Sequence, residues 1–251
     1  MQVALEIPTA HLKKLSSLTD FDFVIASQYL QDSKYANYYK SSSRFMMLDN
    51  GMFELGHPIS DEELVQVCKE LRPNEVIVPD DSLIHTIRFV SQYDYTLEKL
   101  KIKTVGVLHG QTLEECRQNL QVLLVLPVQT ICIPLDLEFK EFQTSNKILT
   151  WSLSRLSLLS LIHSSKFYQY KKDFHLLGVS DPGEVLLAKK FSWVRSIDTS
   201  CPIVSALRDI ALDQVEKKLV RPEHYFDLTL TRSQITKCQK SIKLFKSWCS
   251  R

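Results

Sequence analysis

Short apolar runs alternate with longer amphipathic stretches along this chain. The short runs are residues 21–26, 44–48, 75–79, 104–108, 129–134, 174–178 and 193–197, with 225–228 as an eighth. They are β-branched and almost continuously apolar, as strands buried on both faces of a parallel sheet must be. Helical spacing fills the intervals. Ser60 and Glu63 form a capping signal ahead of Leu64, Val67, Cys68 and Leu71. Thr112 and Glu115 repeat it ahead of Cys116, Leu120, Leu123 and Leu124. Asp181 and Pro182 open a helix that runs through Val185, Leu186 and Phe191, with proline at the favoured first position. Residues 32–43, rich in Tyr, Ser and Lys, read as a loop. Eight strand-then-helix units favour a closed ring over an open doubly wound sheet. The expected fold is therefore α/β, a single (β/α)8 TIM barrel over residues 1–251.

The length of 251 residues suits one such barrel, and no low-complexity segment, repeat or linker divides it. Hydrophobic residues make up 44% and charged residues 24%, the balance of a globular protein with a sizeable core. A net charge of +2 means that any nucleic-acid binding has to come from a local patch. The six cysteines lie far apart and form no CxxC pair, so they read as buried thiols in a reducing compartment and not as a zinc cage or disulfide framework. The N-terminus lacks a signal-peptide pattern, and the apolar stretches are too short or too rich in serine to span a bilayer. The expectation is a cytoplasmic protein with no membrane partner.

The polar residues fall where a barrel would use them. The C-terminal ends of barrel strands face the active site. Here the ends of the apolar runs carry Asp49, Asp80 with Asp81, His109, Asp136, Ser180 and Asp198. Each has a plainer explanation. Asp81 with Ser82, and Ser180 with Asp181, fit helix capping, Asp49 fits an Asx turn beside Gly51, and His109 fits a satisfied loop histidine. Acids or histidine at the same end of five runs favour a site. No HExxH, zinc spacing, Walker loop or GxSxG elbow competes, and neither a metal nor another cofactor is expected. Two carboxylates facing one pocket divide into nucleophile and general acid/base, a pairing suited to attack at an anomeric carbon.

The order of motifs resembles the tRNA-guanine transglycosylase family. Residues 48–54 (Leu-Asp-Asn-Gly-Met-Phe-Glu) are similar to its Asp-Ser-Gly-Gly-Phe-Gln segment, and 78–81 (Val-Pro-Asp-Asp) to its Phe-Asp-Glu-Cys. Residues 106–110 (Gly-Val-Leu-His-Gly) resemble its Val-Gln-Gly-Gly, and 177–182 (Leu-Gly-Val-Ser-Asp-Pro) its Met-Gly-Val-Gly-x-Pro. Ile197 and Asp198 follow at the distance of the nucleophile strand. The series is collinear across residues 45–203. The resemblance implies that Asp198 attacks C1′ of a nucleoside and that Asp49 is the acid/base. It further implies that Phe53 forms a stacking wall and that Asp80, His109, Gly110 and Gly178 line the base. Guanine would leave and a 7-deazaguanine such as preQ0 would enter.

Two departures narrow the likeness. The family's Asp-Met-Phe-Asp-Cys motif reads Asp198-Thr199-Ser200-Cys201 here, which leaves the register of the nucleophile open. The zinc site of the tRNA enzymes is missing, and the chain is over a hundred residues shorter than a typical one. A compact, zinc-free member is closest in character to the phage and bacterial transglycosylases that insert 7-deazaguanines into DNA (DpdA). The implied activity is a pentosyltransferase acting on DNA, in the host cytoplasm if the chain is phage-encoded. Action on tRNA, a non-catalytic nucleic-acid-binding subunit, a homodimer, and an unrelated barrel hydrolase of small sugars stay open.

Two segments are candidates for the nucleic-acid surface. Residues 231–251 carry six Lys/Arg and no Asp/Glu, with Ile235, Cys238, Ile242, Phe245 and Trp248 at helical spacing. They predict a terminal amphipathic helix whose outer face presents Arg232, Lys237 and Lys240 to phosphates, or else a plain solvated helix. Residues 164–172 interleave Lys166, Tyr168, Tyr170, Lys171 and Lys172, a mixture able to contact backbone and stacked bases, or only a polar loop.

Overall fold

The structure is a computed structural model, and it describes residues 1–179, 182–214 and 219–250, apart from the Ile148 side chain. Eight strands form one parallel sheet: β1 (Gln2–Leu5), β2 (Asp22–Ile25), β3 (Met46–Asp49), β4 (Glu75–Ile77), β5 (Lys103–Val107), β6 (Thr130–Ile133), β7 (Asp173–Leu176) and β8 (Val194–Thr199). Neighbours in sequence are hydrogen-bonded neighbours in space from β2 to β8, and β8 pairs with β1, so the sheet curls into a (β/α)8 TIM barrel. The seam lies between β1 and β2. There Asp20 bridges the strands: Val3 N–H donates to its carboxylate at 2.8 Å, and its own N–H donates to Val3 C=O at 2.8 Å.

The helices are α1 (Leu12–Leu15), α2 (Ala26–Gln31), α3 (Ser33–Lys40), α4 (Met52–Leu55), α5 (Asp61–Leu71) and α6 (Leu83–Lys99) in the first half. In the second half they are α7 (Leu113–Val125), α8 (Lys147–Ser164), α9 (Pro182–Ala188), α10 (Cys201–Leu207) and α11 (Arg232–Cys249). The expected caps are present. Ser60 and Glu63 form a complete capping box on α5, and Thr112 accepts from Glu115 N–H at the start of α7. Ser82 caps α6 by accepting from His85 N–H. Pro182 begins α9, while Ser180 and Asp181 lie outside the described residues. All six cysteines are buried, and the thiols of Cys68, Cys116, Cys132, Cys238 and Cys249 are free. No helix among the described residues is long and apolar enough to cross a membrane.

Two expectations need correction. The eighth strand is not at 225–228. That segment is a 3-10 turn (Tyr225–Asp227), where Tyr225 hydroxyl donates to Glu6 C=O at 2.7 Å and Phe226 meets Tyr35 edge-on at 6.0 Å. The ring is completed instead by β1, whose apolar residues Val3, Ala4 and Leu5 are enclosed between the polar Gln2 and Glu6 and so form no extended apolar run. Residues 32–43 are not simply a loop, because α3 occupies Ser33–Lys40. Asp32 caps it by accepting from Lys34 and Tyr35 N–H, and Tyr35 and Tyr39, four residues apart, turn into the core and pack at 4.8 Å. Tertiary burial of those rings outweighs the polar composition that argued for a loop.

Candidate active site

The strand C-terminal ends meet at one mouth, and the sequence-marked acids meet there. Asp49 closes β3, Asp80 lies three residues beyond β4, and Asp198 is the fifth residue of β8. Asp198 is buried and tightly held. Gly178 N–H donates to both its carboxylate oxygens, at 3.0 and 3.1 Å, and His175 Nε2 lies 3.0 Å from Oδ1. Gly178 adopts φ +63°, a left-handed conformation that costs a side-chain-bearing residue about 1–2 kcal/mol. That turn is what aims its N–H at Asp198.

Behind Asp198 a polar chain crosses the barrel interior. His175 Nδ1 lies 2.9 Å from Ser196 Oγ, and Arg195 Nε reaches the same hydroxyl at 3.4 Å. If Ser196 donates to Nδ1, a neutral His175 presents its Nε2–H to Asp198. Phe23 stacks parallel to the imidazole at 6.0 Å and fixes its plane. The far end of the chain is anchored by Arg195, which is bidentate to the buried Glu75 at 2.8 and 2.5 Å and also bonds Asp173 at 2.9 Å.

Asp49 stays partly accessible. Its Oδ2 accepts from Gly51 N–H at 2.8 Å, so it does form the expected Asx-type turn while standing in the mouth. Burial, then the neighbouring Glu54, Asp80 and Asp198, push its carboxyl group well above the ordinary carboxylate range. The shift favours its protonated form, which is able to donate a proton. Asp80 is raised too, chiefly by burial, against the opposing effects of Asn50 and His109. Asn50, wholly buried, fixes it by donating to Asp80 Oδ1 at 2.7 Å and to Val78 C=O at 2.9 Å. His109 Nε2 lies 3.9 Å from Asp80 Oδ2, with no hydrogen-bond partner among the described residues.

Phe53 stands at the rim, 70% exposed, with the Arg221 guanidinium 4.9 Å from its ring centre. Gly110 also lies at this end. A Cβ there would meet Cys116 Sγ at 2.6 Å and Cys116 N at 2.8 Å, so the glycine lets α7 approach the end of β5. Asp136, after β6, is exposed but near enough to raise Asp80.

The two basic segments divide. Arg232 begins α11 at the mouth end, next to Leu230, whose N–H donates to His11 after β1. Arg232, Lys237 and Lys240 are exposed along that helix, with Lys237 paired to Asp209. The 164–172 segment precedes β7 and therefore sits at the opposite end of the barrel. There Lys172 Nζ donates to the Leu126 and Val128 carbonyls, and Tyr168 stacks between His163 and Trp193. Lys166, Tyr168, Tyr170, Lys171 and Lys172 thus share no surface with Asp198. Tyr168 and Lys172 instead border an open cleft of about 880 Å³ with Trp193 and Arg195.

Several residues at the mouth were not singled out in the sequence: Glu6, Asn50, Glu54, Arg155, His175 and Arg221. Histidine inside the apolar run of β7 was the one visible signal. Among the described residues no cluster of His, Cys, Asp and Glu has the form of a metal site.

No family model matches this chain, and no curated protein matches its sequence. Solved structures share the fold. Phosphoribosyl anthranilate isomerase aligns with 98% of this chain and 99% of its own, at 12% identity and a TM-score of 0.50. The tryptophan synthase alpha chain of Legionella pneumophila aligns with 99% of this chain and 91% of its own, at 8% identity and a TM-score of 0.53. Both are TIM-barrel enzymes with reactions of their own, and at such identity the likeness is one of fold alone.

Proposed function

We propose that this chain is a base-exchange glycosyltransferase that replaces guanine in DNA with a 7-deazaguanine of the preQ0 type, through a covalent Asp198 intermediate. The observation that carries the reading is the pairing of two unlike carboxyl groups at one mouth. Asp198 is oriented by N–H donors on both oxygens, while burial and neighbouring acids raise Asp49 and favour its protonated form. Environments that differ in this way divide nucleophile from acid.

In this mechanism an Asp198 oxygen attacks C1′ as the C1′–N9 bond to guanine breaks, and Asp49 gives its proton to the departing base. The incoming 7-deazaguanine then loses a proton to Asp49, its nitrogen attacks C1′, and the ester to Asp198 breaks. Protons and charge return to their starting state. Asp80, locked by Asn50, and His109, with a free nitrogen, offer an acceptor and a donor or acceptor to the base edge. Phe53 offers a face for stacking. The target nucleotide has to leave its helix to reach Asp198, and Arg232 supplies positive charge at the mouth end.

The test is incubation of the full chain with guanine-labelled DNA or tRNA and a 7-deazaguanine, followed by denaturing gels for a covalent adduct. Exchange into DNA with a wild-type adduct is expected. Asp198→Ala should lose both by at least about a thousandfold, as removal of a nucleophile does. Lys172→Ala, at the far end of the barrel, should leave them unchanged. Undiminished exchange by a folded Asp198→Ala protein refutes the mechanism.

A further inference from the structure

The mouth holds one more carboxyl group, supplied by the strand that the sequence pattern did not reveal. β1 pairs with β8 so that Ala4 lies opposite Asp198 and Leu5 opposite Thr199. Glu6, the next residue, is thereby carried to the mouth beside Asp198. Its N–H donates to Thr199 C=O at 3.2 Å, and its C=O accepts from the Tyr225 hydroxyl at 2.7 Å. With both backbone groups fixed, the buried side chain is carried alongside Asp198, near enough for that carboxyl group to strengthen Glu6's hold on its proton. Arg221 meets it from the other side, with Nη1 2.9 Å from Glu6 Oε2 and Nη2 2.6 Å from Glu54 Oε1.

Two carboxyl groups brought side by side in a buried site are stable only if one of them holds a proton. The donors around the pair decide where it sits. Asp198 already faces Gly178 N–H on both oxygens and His175 on one, which are partners for a carboxylate. Glu6 has no comparable set, and Arg221 divides its charge between Glu6 and Glu54.

We propose that Glu6 is a positioning residue for Asp198: its carboxylic acid donates a hydrogen bond to the Asp198 carboxylate and, with Gly178 and His175, holds it in the orientation that faces C1′. The inference rests on Asp198 being the nucleophile. Glu6 keeps its proton throughout the exchange, so the balance of the reaction is unchanged. Burial above all, and then Asp198 and Glu54, push the Glu6 acid up to about 8, against the opposing Arg221 charge. The phenols of Tyr35 and Tyr225 also face this group, and burial pushes both far above their usual range, so they stay neutral. Above about pH 8 Glu6 ionises, the hydrogen bond becomes a repulsion between carboxylates, and Asp198 is displaced.

The experiment has two arms on the full chain. The first measures adduct formation in a single turnover between pH 6 and 10 for wild type, Glu6→Gln and Arg221→Gln. The wild-type rate should fall above about pH 8, by roughly tenfold per pH unit as one ionisation requires. Glu6→Gln, whose amide still donates but has no such proton to lose, should lose the fall centred near pH 8 and keep only the one set by ionisation of Asp49. Arg221→Gln, having lost the opposing cation, should show it at higher pH. The second arm needs no substrate. In protein labelled with carboxyl-13C glutamate, the resonance missing from Glu6→Gln should titrate near pH 8.

A fall whose midpoint stays the same in wild type, Glu6→Gln and Arg221→Gln overturns the proposal. So does a Glu6 resonance that titrates in the ordinary glutamate range, or a folded Glu6→Gln protein inactive at every pH. If wild type forms no adduct at any pH, the glycosyltransferase reading fails by itself. The resonance then still shows whether Glu6 carries the proton, and the positioning role for that chemistry falls.

Discussion

Arg155 is the largest fully buried side chain among the described residues, at 0% exposure, and its removal makes a quantitative test of how the mouth is built. It projects from α8, places Nε 2.9 Å from Glu184 Oε1 on α9, and donates from Nη1 to Leu177 C=O at 3.0 Å. Leu177 is the residue before Gly178, so this bond braces the turn whose N–H holds Asp198. Burial lowers the affinity of Arg155 for its proton, and the charges of Glu184, Asp198 and Asp136 oppose that effect. Arg155→Met keeps much of the volume but leaves the Glu184 carboxylate, 2% exposed, without this cation.

Breaking one side of a buried ion pair costs about 3–5 kcal/mol, most of it the penalty on the remaining charge. In a chain of this length, 1 kcal/mol moves the melting temperature by about 2–4 °C, so a fall of roughly 6–20 °C is expected. Arg155→Met combined with Glu184→Gln should recover at least half of the loss, since no buried charge then faces an apolar neighbour. Urea unfolding of wild type, both single variants and the double variant closes the cycle. Single variants within 1 kcal/mol of wild type, or a double variant as unstable as the sum of the singles, would refute the reasoning.

The remaining predictions concern Glu6 and Gly178. For Glu6 the folded protein holds the proton up to about pH 8, whereas the unfolded chain releases it near 4.5. Its contribution to stability is thus fully present below pH 4.5, declines as pH rises, and is gone above about 8. The decline is at most about 5 kcal/mol, from about 1.4 kcal/mol per pH unit over that window. Relative to wild type, Glu6→Gln should therefore gain stability between pH 5 and 8 in denaturant titrations; parallel curves for the two proteins contradict it. Gly178→Ala should cost about 1–2 kcal/mol for the left-handed backbone. It should also slow adduct formation more than substrate binding, a difference read from single-turnover rates at saturating and limiting DNA. A purely structural glycine would leave the saturating rate untouched.

The chain's pattern alone carried the barrel and most of its acidic mouth. Seven apolar runs became β2 to β8, because strands buried on both faces announce themselves by composition without reference to distant residues. Asp49, Asp80, His109 and Asp198 were legible for a related reason: a polar residue that ends such a run must sit at a strand end, and parallel strands share their ends. Tertiary structure decided what depends on contacts across the ring. β1 is recognisable as a strand only from its pairing with β8, and with it came Glu6 beside Asp198. Residues 33–40 read as polar and yet form α3, because two tyrosines pack inward. Arg155 and Arg221 look like ordinary surface charges in sequence, and their burial follows from carboxylates 29 and 215 residues away, Glu184 and Glu6. The basic and aromatic residues 166–172 show the converse. Their chemistry was visible, but local sequence does not specify which end of the barrel a segment occupies until the strand that follows it is placed, and β7 puts them at the end remote from Asp198.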